Sequence, residues 1–237
     1  MERLDKILSS QGICSRKEAR KLAADKKIKV NGVIVRKSDI KIDPDNDIIE
    51  VGAKRIQYKK YIYIIMNKPE GVLSASNDKH AATVIDLLPE EYQRPGLFPA
   101  GRLDRDTTGL LIITDDGDFA HRMLSPKSHV PKEYEALLDE PVTDEDIRIL
   151  ENGVTLRDGT VYRPARIVEI KDCCVRIEIT EGKFHEVKNL FAYVGRTVEK
   201  LERIRIGGLK SDKNLGRGEC RLLSDFEIST VFNSDND

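Results

Sequence analysis

The alternation of apolar and polar positions changes period several times along the chain, and each change marks an element. Residues 3–11 place Leu4, Ile7 and Leu8 on one helical face, and Gly12 ends that helix. Ser15 and Glu18 have the spacing of a capping box, opening a second helix whose Ala19, Leu22 and Ala23 face inward. The period then shortens to two. Ile28-Lys29-Val30 and Val33-Ile34-Val35 flank Asn31-Gly32, the dipeptide best suited to a two-residue hairpin turn. Residues 38–58 are polar and turn-rich, with one strand expected at 48–51. A domain boundary is expected within residues 54–60, dividing 1–58 from 59–237.

Beyond it, Tyr61-Ile62-Tyr63-Ile64-Ile65-Met66 is apolar on both faces, as a central strand must be, and the turn Asn67-Lys68-Pro69-Glu70-Gly71 follows. The pattern predicts further strands at 110–113, 132–137, 165–170, 175–180 and 199–206. It predicts helices at 83–88, stopped by Pro89, and at 117–124, 144–151 and 185–194. Strands and helices mix without a strict βαβ rhythm, which favours an α+β fold with a mixed, largely antiparallel sheet flanked by helices. A short acidic tail occupies 234–237.

Composition adds an aliphatic core, since aromatics make up only 5% of the chain and tryptophan is absent. No apolar run approaches the roughly 20 residues of a membrane span, and the first residues are not a hydrophobic signal, so a cytoplasmic protein without a membrane partner is expected. Cys14, Cys173, Cys174 and Cys220 fit no zinc spacing and are read as reduced thiols. The net charge of −1 hides an asymmetry. Residues 1–60 hold 16 Lys and Arg against 9 Asp and Glu, a net of +7, whereas the remainder holds 24 against 32, a net of −8. A basic module attached to an acidic body points to a polyanionic partner.

The chemistry-bearing stretch is Gly101-Arg102-Leu103-Asp104-Arg105-Asp106-Thr107-Thr108-Gly109-Leu110-Leu111, a charged loop running straight into an apolar strand. Its Asp104-x-Asp106-x-Thr108 neighbourhood, with Asp104-Arg105-Asp106-Thr107, suggests a magnesium-dependent phosphohydrolase. That reading needs the first aspartate at the end of a buried strand in a parallel βαβ unit, and Asp104 instead follows Pro99-Ala100-Gly101-Arg102-Leu103. His185-Glu186-Val187-Lys188-Asn189 imitates a zinc-protease helix, but its fifth position is Asn189, not histidine. His80, His121 and His129 show no ligand spacing and are read as surface or supporting residues.

Two family resemblances organise these residues. Arg3-Leu4-Asp5, Gly12, Ser15-Arg16, Ala19 and Val30-Asn31-Gly32 resemble the S4 RNA-binding domain, two helices plus a hairpin. The resemblance implies RNA contacts from Arg3, Lys6, Arg16, Lys17, Arg20, Lys21 and Asn31. Gly101-Arg102-Leu103-Asp104 with Thr107-Thr108-Gly109-Leu110-Leu111 resembles the signature of pseudouridine synthases. Asn67-Lys68-Pro69-x-Gly71, Lys132-x-Tyr134 and Glu181-Gly182-Lys183-Phe184-His185-Glu186-Val187-Lys188 match that family's other motifs. The pairing with an S4 domain implies the branch that modifies ribosomal RNA without a guide RNA. The stretch Thr114-Asp115-Asp116-Gly117 is most similar to the small-subunit enzymes, which act on uridine 516 of 16S ribosomal RNA; the large-subunit (23S) enzymes come next. A non-catalytic S4 assembly factor is the rival from another class.

The resemblance implies an isomerisation in which the N1–C1′ bond of a uridine breaks, the base turns, and C5 takes the place of N1. It involves no redox step and no hydrolysis, so it implies neither a metal nor an organic cofactor. Asp104 acts as an ionised nucleophile or charge stabiliser, Lys188 keeps it charged, and Tyr134 stacks on the base. Arg102 and Arg105 hold a phosphate or the space left by an extruded base. The turn Ile206-Gly207-Gly208-Leu209 is expected to wall the base pocket. Asp106 is expected to shape the loop, and the protein to act as a monomer.

Overall fold

The computed structural model describes residues 1–233, so the acidic tail expected at 234–237 lies outside the described residues. The chain forms two units. One comprises Met1–Ile62 with Pro89–Leu97, and the other Tyr63–Leu88 with the chain from Phe98 onward.

In the first unit, β1 (Glu2–Arg3) leads into α1 (Leu4–Ser10) and α2 (Arg16–Ala24), followed by β2 (Ile28–Val30), β3 (Val33–Ile34), β4 (Lys41–Ile42), β5 (Ile49–Val51) and β6 (Lys54–Ile56). The capping box is present: the Glu18 amide donates to Ser15 Oγ at 3.2 Å, and Ser15 N donates to Glu18 Oε2 at 2.8 Å. Leu4, Ile7, Leu8, Ala19, Ala23 and Ile28 are fully buried and close a small core with Ile42, Ile49 and Ile56. β2 and β3 form the expected hairpin, with Asn31 and Gly32 both at positive φ, 51° and 77°. The strands pair in the order β3-β2-β5-β6.

Residues 89–97 were not foreseen as part of this unit. The Arg94 guanidinium donates to the carbonyls of Lys59 and Lys60, each at 2.9 Å. Gly12, at φ +70°, lies so close that a Cβ there would come within 2.4 Å of the Gln93 carbonyl oxygen. The helix expected at 83–88 does not form. Thr83 and Asp86 make the side-chain exchange of a helix start, with Thr83 N donating to Asp86 Oδ2 at 2.8 Å. Pro89 then disfavours helical geometry at Leu88, and a single turn is too short to sustain a helix.

The second unit is built on one nine-stranded sheet. Its elements are β7 (Tyr63–Lys68), β8 (Phe98–Ala100), β9 (Thr108–Thr114), α3 (Gly117–Leu124), β10 (Lys132–Leu138), α4 (Asp144–Asn152), β11 (Val154–Thr155), β12 (Val161–Tyr162), β13 (Arg166–Lys171), β14 (Cys174–Ile179), α5 (Glu186–Tyr193), β15 (Val198–Ile206), β16 (Leu209–Lys210), β17 (Cys220–Leu222) and α6 (Asp225–Thr230). The order β13-β14-β10-β15-β9-β7-β17, with β16 on β15 and β8 on β9, gives the expected α+β mixed sheet. Every pairing in it is antiparallel except β9 with β15.

β9 lies at the centre because six of its seven residues are buried, and Ile65, Leu110, Ile112, Phe119, Met123 and Ile206 share one core cluster. Its parallel contact with β15 is short, pairing Thr108 with Glu202 and Gly109 with Arg203. At Gly109, φ is +99° and a Cβ would stand 2.4 Å from the Arg203 carbonyl oxygen, so only glycine fits this crossing.

A bulge in β15 sets the two faces of the sheet apart. Glu133 pairs with Arg205 and Tyr134 with Arg203, leaving Ile204 as the extra residue. Two residues two apart normally share a face, but the bulge separates these arginines. Arg205 Nε donates to Glu133 Oε2 at 2.7 Å on one side. Arg203 lies beside Tyr134 on the other. Among the described residues no helix is long and apolar enough to cross a membrane.

Gly109→Ala should lower the unfolding free energy by at least about 1–3 kcal/mol from the left-handed φ alone, with the clash at the β9–β15 crossing adding to it. Urea unfolding followed by circular dichroism measures the loss.

Candidate active site

Residues 101–107 join β8 to β9, and the backbone of this loop is fastened from beneath. Lys68, the last residue of β7, is fully buried. Its ammonium donates to the carbonyls of Pro69 at 3.0 Å, Asp104 at 3.1 Å, Arg105 at 3.4 Å and Thr107 at 2.9 Å. Burial pushes the Lys68 pKa down to about 8, against the opposing pull of Asp106, Asp104 and Glu70. On the outer side, Gly71 N donates to the Arg105 carbonyl at 2.8 Å and Arg105 Nε returns a bond to the Gly71 carbonyl at 3.0 Å. Ser74 closes the start of the loop by donating to the Leu103 carbonyl at 2.9 Å.

A loop held this tightly presents Asp104 at a cavity of about 350 Å³, within the range of small-molecule sites. Asp104 faces His185, just before α5, and Lys188 in the first turn of α5. Its Oδ1 lies 3.3 Å from His185 Nε2, and its Oδ2 lies 3.5 Å from Lys188 Nζ. Lys188 is shared: its shorter contact, 2.6 Å, is to Asp106 Oδ1 and holds the Asp106 carboxyl below the usual carboxylate range. One lysine thus clasps both aspartates across the loop.

His185, set aside in the sequence for its missing zinc partner, is the residue that reasoning missed. It sits in the left-handed conformation at φ 50° just before α5, with its ring stacked on exposed Phe184 at 3.7 Å. The signal was available in its position, three residues before Lys188 and therefore on the same side of the helix start. Glu186 fixes the approach to α5. Its buried Oε2 accepts from Gly182 N and Lys183 N, each at 2.7 Å, and burial raises its pKa.

Tyr134, on β10, lines the same cavity and is 6% exposed. Lys132 and Arg203 stand beside it in the wall. Apolar lining comes from Leu103, Leu124, Ile179, Phe184, Val187 and Leu201. The turn Ile206-Gly207-Gly208-Leu209 does not contribute. Ile206 and Leu209 belong to the core cluster with Val231, and Gly207 is so closely packed that a Cβ would meet the Val231 carbonyl oxygen at 1.9 Å. Close packing against the chain after α6, which the sequence pattern did not announce, takes this turn away from the cavity.

Of the expected RNA contacts, Arg102 is exposed on the cavity rim, and Arg105 is exposed but tied to Gly71. Arg16, Lys17, Arg20 and Lys21 are exposed along α2 and make no ion pair among the described residues. Arg3 is instead paired with buried Asp5 at 2.7 Å and Lys6 with Glu2 at 3.2 Å. The Asn31 amide is engaged inside the unit, donating to Asp47 Oδ1 at 2.8 Å and accepting from Ile48 N at 2.9 Å. Among the described residues no group of three or more His, Cys, Asp or Glu is arranged to hold a metal ion.

A carboxylate beside a lysine and a histidine at a base-sized cavity, in a chain that also carries a basic helical unit, fits an enzyme that acts on a nucleotide. The family model described as RNA pseudouridylate synthase matches residues 62–193, and the S4 domain model matches residues 2–49. The chain belongs to the RNA pseudouridylate synthase family, whose members are isomerases. It is similar to the uncharacterized RNA pseudouridine synthase YtzG of Bacillus subtilis (strain 168), with 42% identity over 231 residues, 95% of this chain and 96% of that one. It is 38% identical to ribosomal small subunit pseudouridine synthase A of Escherichia coli (strain K12), over 97% of this chain and 99% of that one. A crystal structure of a pseudouridylate synthase, 33% identical, superimposes with a TM-score of 0.67 over 98% of this chain and 100% of that one.

Lys68→Met keeps the shape of the side chain but strips four carbonyls of their donor, and should cost about 2–3 kcal/mol. Thermal unfolding should show the loss, and a variant as stable as the parent would mean that the loop holds without its lysine.

Proposed function

We propose that this RNA pseudouridine synthase isomerises one uridine of small-subunit ribosomal RNA, the counterpart of uridine 516 in 16S ribosomal RNA. It would act as a cytoplasmic monomer with no cofactor. The choice of RNA is supported by the relative named ribosomal small subunit pseudouridine synthase A, alike along almost the whole chain. The reading of the site is carried by one observation: Asp104, Tyr134 and Lys188, far apart in sequence, line a single cavity.

In this proposal the division near residue 58 is functional. Residues 1–58 hold RNA through Arg16, Lys17, Arg20 and Lys21 on α2, with Arg3 and Lys6 adding charge beside them, and Asn31 shapes the hairpin rather than touching RNA. Residues 59–237 carry the chemistry. The target uridine leaves its stack at a cost of a few kcal/mol and enters the cavity. Tyr134 packs on the uracil ring, and its hydroxyl, which has no hydrogen-bond partner among the described residues, faces the base. Arg102 on the rim and the free end of the Arg105 guanidinium hold the flanking phosphates.

Asp104 works as a carboxylate. Lys188 and His185 lie on its two oxygens, and the Lys68 clamp fixes where the carboxyl stands. Acting at C1′ or C2′, the carboxylate assists breakage of the N1–C1′ bond; the base turns within the cavity, C5 joins C1′, the C5 hydrogen leaves as a proton, and N1 takes a proton up. No atom is gained or lost, so the reaction is an isomerisation.

Asp104→Asn should abolish pseudouridine formation, by at least about a thousandfold, while RNA affinity stays within a few-fold of the parent. Retained isomerisation would remove Asp104 from the chemistry. Mapping pseudouridine in ribosomal RNA from cells with and without the protein should show one missing site in the small subunit; a missing large-subunit site would select the 23S alternative. Replacing Arg16, Lys17, Arg20 and Lys21 together by alanine should make the log–log salt dependence of RNA binding shallower by about 3–4, and an unchanged slope would acquit α2.

A further inference from the structure

Beneath Asp104 the cavity contains charge that the steps above do not use. Lys132 and Arg203 are 3% and 4% exposed, and both line it. They reach the same wall because Lys132 and Tyr134 alternate on one face of β10, and the β15 bulge turns Arg203 onto that face opposite Tyr134. Arg203 uses its Nε to donate to the Leu110 carbonyl at 2.9 Å, which fixes the guanidinium, while its Nη2 has no partner. The Lys132 ammonium makes no ion pair or hydrogen bond among the described residues. Two further side-chain polar atoms, fully shut off from solvent, lack a partner among the described residues, Arg203 Nη2 and Thr107 Oγ1, and both residues line this cavity. Buried donors are normally satisfied, so orphans gathered in one cavity mark the place of a polar ligand.

Two adjacent buried cations repel one another and are poorly solvated. Burial, then the Arg203 charge, push the Lys132 pKa down to about 8, with Glu186 pulling the other way. A fold keeps such an arrangement against its own stability where an electron-rich partner arrives to complete it.

We infer that Lys132 and Arg203 are the receptor for the carbonyl oxygens of the extruded uracil and take up the negative charge the base acquires when it leaves the ribose. This rests on the reading of the cavity as the site of isomerisation. When the N1–C1′ bond breaks, both bonding electrons depart with the base and spread from N1 onto O2 and O4. That holds whether Asp104 bonds to C1′ or removes a proton from C2′. The detached uracil is therefore an anion until C5 bonds to C1′, the C5 proton leaves and N1 is protonated. Two fixed donors aimed at its oxygens lower the energy of that anion more than of the neutral nucleotide, which is how a preorganised site accelerates a reaction. The same donors hold the free base while it turns.

The test uses the full-length protein and a ribosomal RNA transcript or particle on which the parent forms pseudouridine. Lys132→Met should bind that RNA with unchanged affinity and lower the single-turnover rate about 100-fold. It should also melt at a higher temperature, because it removes a buried, unpartnered charge. Lys132→Arg should recover most of the rate. The pH profile gives a second signature. Around Lys132 stand Arg203 from β15 and Glu186 from α5, and the cavity also holds Asp104, Glu181, Lys183, His185 and Lys188. The parent rate should fall as pH rises through about 8, where Lys132 loses its proton. In Lys132→Arg this alkaline limb should move upward, whereas a limb belonging to Lys68 beneath the loop would stay where it is. A Lys132→Met protein with near-parental rate, or one that loses rate together with melting temperature or RNA affinity, overturns the inference. A parent protein that isomerises no uridine would instead overturn the reading on which it rests.

Discussion

The site depends on a single buried ammonium. Lys68 ends strand β7, the neighbour of β9, and reaches under the β8–β9 loop to the carbonyls of Asp104, Arg105 and Thr107. A charged backbone anchor of this kind does two things together. It fixes the path of a loop that has no regular structure of its own, and it sets a positive charge a few ångströms below two aspartates. Burying an ammonium is costly unless every donor finds an acceptor, and here the four carbonyls meet that need. The arrangement therefore makes the loop's geometry and the lysine's solvation one condition: neither persists without the other.

A second constraint separates structural charge from chemical charge. On one face of β10 and β15, Glu133 is buried between Arg176 and Arg205, with Glu178 and Glu169 completing the network, so each buried charge has partners. On the other face, Lys132, Tyr134 and Arg203 meet the cavity incompletely satisfied. The one-residue bulge at Ile204 is what permits opposite policies two residues apart on the same strand. Without it Arg203 and Arg205 would share a face, and the cavity wall would lose its guanidinium.

Much of this was written in local pattern. The capping box at Ser15 and Glu18, the Asn31-Gly32 turn and the helix Gly117–Leu124 depend on neighbours in sequence and appear where the pattern puts them. The motif residues Asp104, Tyr134 and Lys188 were legible as well, because each type suits one job in the chemistry that the family resemblance implied. What escaped depends on partners distant in sequence. Lys68 reads as a polar residue ending a strand until the loop some forty positions later is folded over it. The parallel crossing at Gly109 and Arg203 joins residues nearly a hundred positions apart, and no local period announces it. The pattern at 83–88 read as a helix, but Pro89 leaves the single turn begun by the Thr83–Asp86 exchange no room to continue. Lys188 was foreseen beside Asp104 but not as a bridge to Asp106, since the loop's curvature decides which carboxylate lies nearer.

The first unit is discontinuous: it takes in Pro89–Leu97 after the chain has already run through β7. During synthesis its two helices and hairpin emerge first, but the piece that covers Gly12 and ties down Lys59 and Lys60 comes about thirty residues later. By then β7 has emerged without its neighbour β9, exposing a strand that is apolar on both faces. The order of emergence thus makes completion of the basic unit and rescue of that strand nearly simultaneous events. A nascent chain that has emerged only to between residues 70 and 97 would hold neither a finished first unit nor a β7 paired with β9.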